Sequence, residues 1–526
     1  MEAVRRVVAL MGLLASVSWA AGQPSRLDLA GATTGAPEDL ETNLCTEDLL
    51  MGDPRVGPSW NGWGNGPANT RFQPRSQGKL TAADLRQLQL KWAFGYANIS
   101  SARPQPTVAG GRLFAASENG HLYALNPRTG CRYWTYKARA GIPTAVVVGS
   151  YRTSDGSDGV AVFFGDRKAN AYAVDAQTGR EIWVRKVDSH PAAVIAGSLA
   201  FEAARVFVPV QGLKEQAMSD FAGQPCCTFR GSVSALDAST GYVVWKTYTM
   251  AESMPRPSDQ DGTLSYGPAG GGIWAVPTID SKRRLIYVST GNGSAEPAQS
   301  TTDAVLALDI NTGELKWSRQ MTPGDDPAIS PGSGSSEFDL SATPMLTALQ
   351  GRPLLLVPQK SGVAWALDPA KDGAIVWQYR SIEGSGVGGH WGMAVEGEVA
   401  YVGFGGMQAL ALADGHLAWN KPPQTRLCGS GQACNAGQGG PLTAIPGAVL
   451  SGGMDGGLRA YSAKDGAVLW SFDTNRNFDT VNGVKASGGT MDTAGPVVVD
   501  GMVYVTAGSG DVSGRPGSVL LAFGLP

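Results

Sequence analysis

Apolar and polar residues alternate along this chain in short runs, and each run ends in a cluster of Asp, Asn, Thr and Gly. That period-2 pattern between turn residues predicts many half-buried strands joined by tight turns. The stretch from Gly270 to Trp317 shows it most completely. Val305 to Leu308 alternates as a strand, Asp309 to Gly313 forms the turn, and Glu314 to Trp317 opens the next strand. Upstream, the run LIYVSTGN ends in Gly291-Asn292-Gly293, which places an amide side chain at a loop edge where a ligand can meet it.

The same unit recurs. Apolar-Ala-Leu-Asp-x-x-Thr-Gly-x-x-x-Trp, with local variation, is found as HLYALNPRTGCRYW, NAYAVDAQTGREIW, SVSALDASTGYVVW, AVLALDINTGELKW, VAWALDPAKDGAIVW, MQALALADGHLAW and GLRAYSAKDGAVLW. These end at Trp134, Trp183, Trp245, Trp317, Trp377, Trp419 and Trp470. An eighth copy is split: LQLKWAF carries Trp92 near the start, and SVLLAF near the end supplies the strand that should precede it. Spacings of 42 to 72 residues between these tryptophans leave room for about four short strands per unit, the content of a propeller blade. The expected fold is all-β: an eight-bladed β-propeller with tryptophan-docking motifs, its ring closed by pairing of the N- and C-terminal strands. Each repeat tryptophan is read as core, burying ~200 Å² between blades, an upper bound of about 5 kcal/mol at ~25 cal/mol/Å².

Composition agrees with this reading. The 526 residues are 43% hydrophobic and 17% charged, enough to bury a large core, and 71 glycines suit many tight turns. A formal net charge of −3 supplies no basic field for nucleic acid or acidic lipid, so neither partner is expected. At the N-terminus Arg5 and Arg6 precede an apolar run from Val7 and a small-x-small site, Ser18-Trp19-Ala20. That pattern is expected to be a secretory signal over residues 1–21, with no membrane span in the mature chain. Residues 22–57 then read as an extended arm and 58–526 as the propeller. A secreted or periplasmic location is oxidising, so the six cysteines are candidates for pairing. No C-x-x-C-H occurs for covalent haem attachment.

WD-repeat and kelch signatures are absent. The tryptophan-docking repeat, together with PSWNGWGNGPANTRFQP, HPAAVIAG, PCCTFRGSVSALDASTG, QKSGVAWALDP, GGHWGMAV and FDTVNGVKASGG, resembles the propeller of the pyrroloquinoline-quinone (PQQ) alcohol dehydrogenases. Within that family it is most similar to the polyvinyl-alcohol dehydrogenase branch, from Pro58 onward, without a cytochrome c domain.

This resemblance implies PQQ and Ca²⁺ as cofactors and assigns roles residue by residue. Trp274 resembles the tryptophan on which the quinone ring stacks, with an additional core tryptophan as the alternative. Asn292, eighteen residues later, resembles an amide ligand of Ca²⁺; an Asn tolerating a left-handed turn is the plainer reading. Lys360 resembles the cation that contacts the quinone oxygens, against a solvated strand-end lysine. Asp339, between Phe338 and Leu340, resembles the catalytic aspartate and a further metal ligand. Cys226 and Cys227 are implied to form an adjacent pair at the mouth of the cofactor site; two thiols or two separate bridges remain open. Cys428 and Cys434 most simply close a small loop, leaving Cys45 with Cys131, one of fifteen connectivities.

Two positions depart from the family pattern. Where the family carries an acidic run that supplies a metal ligand, Gln211 to Glu215 has Lys214, leaving Glu215 to fill in as the metal ligand by a one-residue shift. Pro143 stands where an arginine more often binds a cofactor carboxylate. The leading reading is an exported dehydrogenase that oxidises secondary, and also polymeric, alcohols to ketones and passes electrons to a separate cytochrome c. The competing readings are a non-catalytic envelope scaffold that has lost its cofactor, and a quinoprotein sugar dehydrogenase.

Overall fold

The computed structural model describes residues 42–47, 49–213, 226–257, 264–323, 338–340, 342–381, 391–423, 427, 437–509 and 514–526. All belong to one compact unit, Pro37–Pro526. The expected signal segment, Lys214, Glu215, Cys428 and Cys434 lie outside the described residues, as does most of the irregular stretch after Gln320.

Eight antiparallel sheets follow one another along the chain. Blades one to seven span residues 107–137, 147–186, 193–248, 278–320, 345–380, 394–421 and 443–473. Blade eight takes Val497–Val499, Met502–Ala507 and Val519–Gly524 from the C-terminal end and Gln89–Gly95 from the N-terminal end, in the order Gln89–Gly95, Val519–Gly524, Met502–Ala507, Val497–Val499. The expected closure is present: Trp92 lies opposite Ala522 and Phe94 opposite Leu520. Among the described residues helix is confined to one turn at Arg75–Gly78 and a 3₁₀ turn at Leu85–Gln87, and no helix is long and apolar enough to cross a membrane.

The repeat motif now has a physical explanation. In every blade the motif alanine sits directly opposite the tryptophan, as in Ala173–Trp183, Ala235–Trp245 and Ala522–Trp92, and a β-bulge precedes each tryptophan. The small Ala leaves the indole room to lean onto the next blade. There the indole lies over the turn glycine: Trp183 over Gly241 and Trp134 over Gly179 are two of seven such pairs. These seven glycines have φ between 67° and 75°, so each position needs both a left-handed backbone and the absence of Cβ. Six of the indole N–H groups donate to a carbonyl one residue past the turn's first residue, as Trp183 Nε1 does to Ala238 O at 2.9 Å. Trp92, Trp134, Trp183, Trp245, Trp317 and Trp377 are buried, and Trp419 and Trp470 half-buried.

The stretch Trp60 to Gln73 holds the inner ends of the blades. Backbone and side-chain hydrogen bonds tie it to the innermost strands of seven blades, through Val108, Val148, Ile279, Leu346, Val395, Ala444 and Val498. Trp63 packs with Ala200 and Phe207 of the remaining blade. A segment that meets every inner strand runs around the propeller axis. Its Arg71 is fully buried between Trp60 and Trp63, 5.3 and 4.5 Å from their ring centres, and donates to Trp63 O, Leu442 O and Gln105 Oε1.

The arm is anchored on blade one. Cys45 and Cys131 form a disulfide, Cys45 N donates to Arg132 O at 3.0 Å, and Gly52 N donates to Gly110 O at 2.9 Å.

Candidate active site

Five side chains converge at one edge of blades four and five. Trp274 precedes the strand Thr278–Asp280, Asn292 follows Leu285–Ser289, and Asp303 precedes Ala304–Asp309. Asp339 precedes Met345–Leu349 and Lys360 follows Arg352–Pro358. In antiparallel sheets the starts of first and third strands and the ends of second strands share an edge, so residues remote in sequence meet there.

Asp339 is 2% exposed and held on several sides. Asn292 N donates to its Oδ1 at 3.0 Å, Lys360 Nζ forms an ion pair with its Oδ2, and Lys360 N donates to its backbone oxygen at 3.3 Å. Oriented with nitrogen inward, the Asn292 amide donates to Asp339 Oδ1 at 2.6 Å and to Asp303 Oδ1 at 2.7 Å. Asp303 is fully buried and adopts a left-handed backbone with φ 47°. The half-buried Trp274 stands beside this group, with Lys360 Nζ 5.6 Å from its ring centre. Gly291 makes the approach possible: a Cβ there would lie 2.6 Å from Trp274 Cη2 and 3.0 Å from Asp339 Oδ1.

The donor set suits a hard divalent cation, since Asn292 and the two carboxylates offer only oxygen once the amide presents Oδ1. Among the described residues no three His, Cys, Asp or Glu converge, so the site rests on two carboxylates and one amide. Strand Arg205–Gly212 brings Gln211 to within 3.1 Å of where a Cβ on Gly272 would sit, two residues before Trp274. Cys226 and Cys227 are disulfide-bonded to each other, joined by a cis peptide. Cys227 N donates to Tyr266 O at 3.3 Å, and Gly270 N donates to Phe229 O at 2.8 Å, so the pair's loop runs alongside the segment that leads into Trp274. Pro143 is buried, and Arg167, whose N donates to Gly141 O at 2.9 Å, is bidentate on Glu118 at 2.6 and 2.7 Å. Asp303 carried no motif signal in the sequence, because only the meeting of two strand ends brings it to Asn292.

An eight-bladed propeller with this tryptophan-docking repeat is the fold of a quinoprotein. Residues 60–391 match the PQQ family model described as glucose/ethanol/alcohol dehydrogenase, beta-propeller domain, and the chain belongs to that family. It is 38% identical to a polyvinylalcohol dehydrogenase of Pseudomonas sp., over 99% of this chain and 88% of that protein. A polyvinylalcohol dehydrogenase of Sphingopyxis sp. is 37% identical over 92% of this chain and 79% of that protein. The fold also matches the quinohemoprotein alcohol dehydrogenase ADHIIG of Pseudomonas putida, with TM-score 0.68 at 17% identity, covering 92% of this chain and 82% of that one.

Proposed function

We propose that this chain is an exported dehydrogenase that oxidises secondary alcohols, polymeric ones included, to ketones, and delivers the electrons to a separate cytochrome c. The observation that supports it most is the convergence of Trp274, Asn292, Asp339 and Lys360, four residues spread over 86 positions, in one group at a blade edge around the buried Asp339. The polyvinylalcohol dehydrogenase relatives support the substrate class. The Cys45–Cys131 disulfide is in keeping with an oxidising compartment.

Pyrroloquinoline quinone supplies the two-electron acceptor chemistry when bound. In this reading Trp274 presents an indole face for the flat ring, and Lys360 places a positive charge at the ring's oxygen edge, where negative charge develops. In this reading the Cys226–Cys227 disulfide stands at the mouth of the cofactor space, its loop running beside the segment that leads into Trp274. Asn292 and Asp339 would hold Ca²⁺, joined by Glu215 as the residue that fills the acidic position. In this reading Asp339 takes the hydroxyl proton at a carboxylate oxygen as the C–H hydride leaves, so one alcohol gives one ketone, one proton on Asp339 and one hydride, which carries the second proton with the two electrons. The Asn292 N–H and Lys360 hold that carboxylate in a single orientation.

The test is reconstitution of the full chain with quinone and Ca²⁺. A shifted quinone absorption spectrum together with secondary-alcohol-dependent dye reduction is expected. Failure to bind quinone would favour the scaffold, and reduction driven only by sugars would favour the sugar dehydrogenase.

A further inference from the structure

Asp303 is the fifth member of the group and carries no role in the proposed reaction, yet it shares the Asn292 amide with Asp339 at nearly equal distances, 2.7 and 2.6 Å. Its backbone is pinned at both sides, Asp303 N donating to Gly291 O at 3.2 Å and Met321 N to Asp303 O at 2.8 Å. Gly291 is also the residue whose missing Cβ lets Trp274 and Asp339 approach each other. Asp303 is therefore built into the same frame as the site, with its carboxylate closed off from water.

A cation seated between Asn292 and Asp339 would require the amide to turn over, presenting Oδ1 where Nδ2 now donates. The carboxylate oxygens of both aspartates then lie next to a ligand oxygen. We infer that Asp303 is a positioning residue of the cation site, acting through Asn292 and adding the negative charge that Lys214 removes from the Gln211–Glu215 stretch. This rests on the proposed quinone site.

Two effects of Asp303 on cation binding oppose each other. Its hydrogen bond from Asn292 favours the cation-free amide orientation, and its charge favours the cation. Coulomb attraction between a divalent ion and a buried carboxylate this close exceeds one amide hydrogen bond, so the charge sets the sign. Partners of metal-ligating side chains typically alter metal affinity by roughly 10–100-fold when removed.

The experiment titrates the full chain with Ca²⁺ by calorimetry and with Tb³⁺ by luminescence, without quinone, alongside Asp303→Asn. Asn keeps the size and tolerates the left-handed backbone, and Asp303→Ser serves as a second neutral variant, with thermal melting to show that each is folded. Ca²⁺ affinity is expected to fall about 10–100-fold, and Tb³⁺ affinity by a larger factor, because a trivalent ion loses more on removal of one negative charge. Equal loss for both ions would mark Asp303 as merely structural and overturn the inference. Unchanged affinities would overturn it too, leaving the proposed function standing. A parent chain that binds neither ion would instead overturn the quinone-site reading on which this rests.

Discussion

Asp339 has its two oxygens engaged differently, Oδ1 by the Asn292 N–H and Oδ2 by Lys360. Asp339→Asn keeps the shape and removes the proton acceptor. It should bind quinone as the parent does while losing roughly 10²–10⁴-fold of alcohol-dependent dye reduction; unimpaired reduction would take Asp339 out of the mechanism. Away from the site, burial and then the charges of Lys137 and Arg132 depress the His121 pKa to about 4. The unfolded chain therefore binds a proton between about pH 6.5 and pH 4 that the folded chain does not. Stability should be full above pH 6.5, fall as pH drops through this window, and level off below it, by about 2 kcal/mol after discounting for partial burial. Melting temperatures across pH 4–8 check this: His121→Gln should flatten that part of the profile, and an unchanged slope would assign the acid sensitivity elsewhere.

The Thr-Gly turn and the tryptophan of the preceding blade work as one element. Gly241 combines φ 69° with an indole so close that a Cβ would lie 2.7 Å from Trp183 Cδ2. Gly241→Ala incurs left-handed strain of about 1–2 kcal/mol and overpacking of about 1–3 kcal/mol. Urea denaturation should show a loss of roughly 2–5 kcal/mol; a loss near zero would mean that the neighbouring blades slide apart freely. The exceptions follow from the same geometry. Blade five has one additional residue between Asp368 and Gly373, and Trp317 Nε1, which faces this turn, has no hydrogen-bond partner among the described residues. Trp470 faces blade eight, whose strands Val519–Gly524 and Gln89–Gly95 are not joined by a turn, and it packs edge-on against Phe523 at 5.3 Å. The motif spacing made the strands and their tryptophans legible, but this one-residue insertion acquires a consequence only when blades are stacked.

Across the whole molecule the ring is held by the strand pairing of blade eight and by the segment Trp60 to Gln73 around its axis. Deleting Gly517 to Pro526 removes the strand Val519–Gly524, leaving both neighbouring strands with unpaired edges. Calorimetry of the truncated chain should show loss of the single cooperative transition, and a parent-like melt would mean that the axial segment alone keeps the ring closed. By itself the sequence determined the class, the number of blades and the split blade, because a repeat of period-2 strands has one way to bury its tryptophans and each copy carries its own turn. It left open the partner of Cys226, Cys227 and Cys131, the ring of contacts made by Trp60 to Gln73, and the place of Asp303. Those depend on which strand ends share a blade edge and which inner strands share an axis, and residues with no local signal acquire their partners only when eight blades close around a common centre.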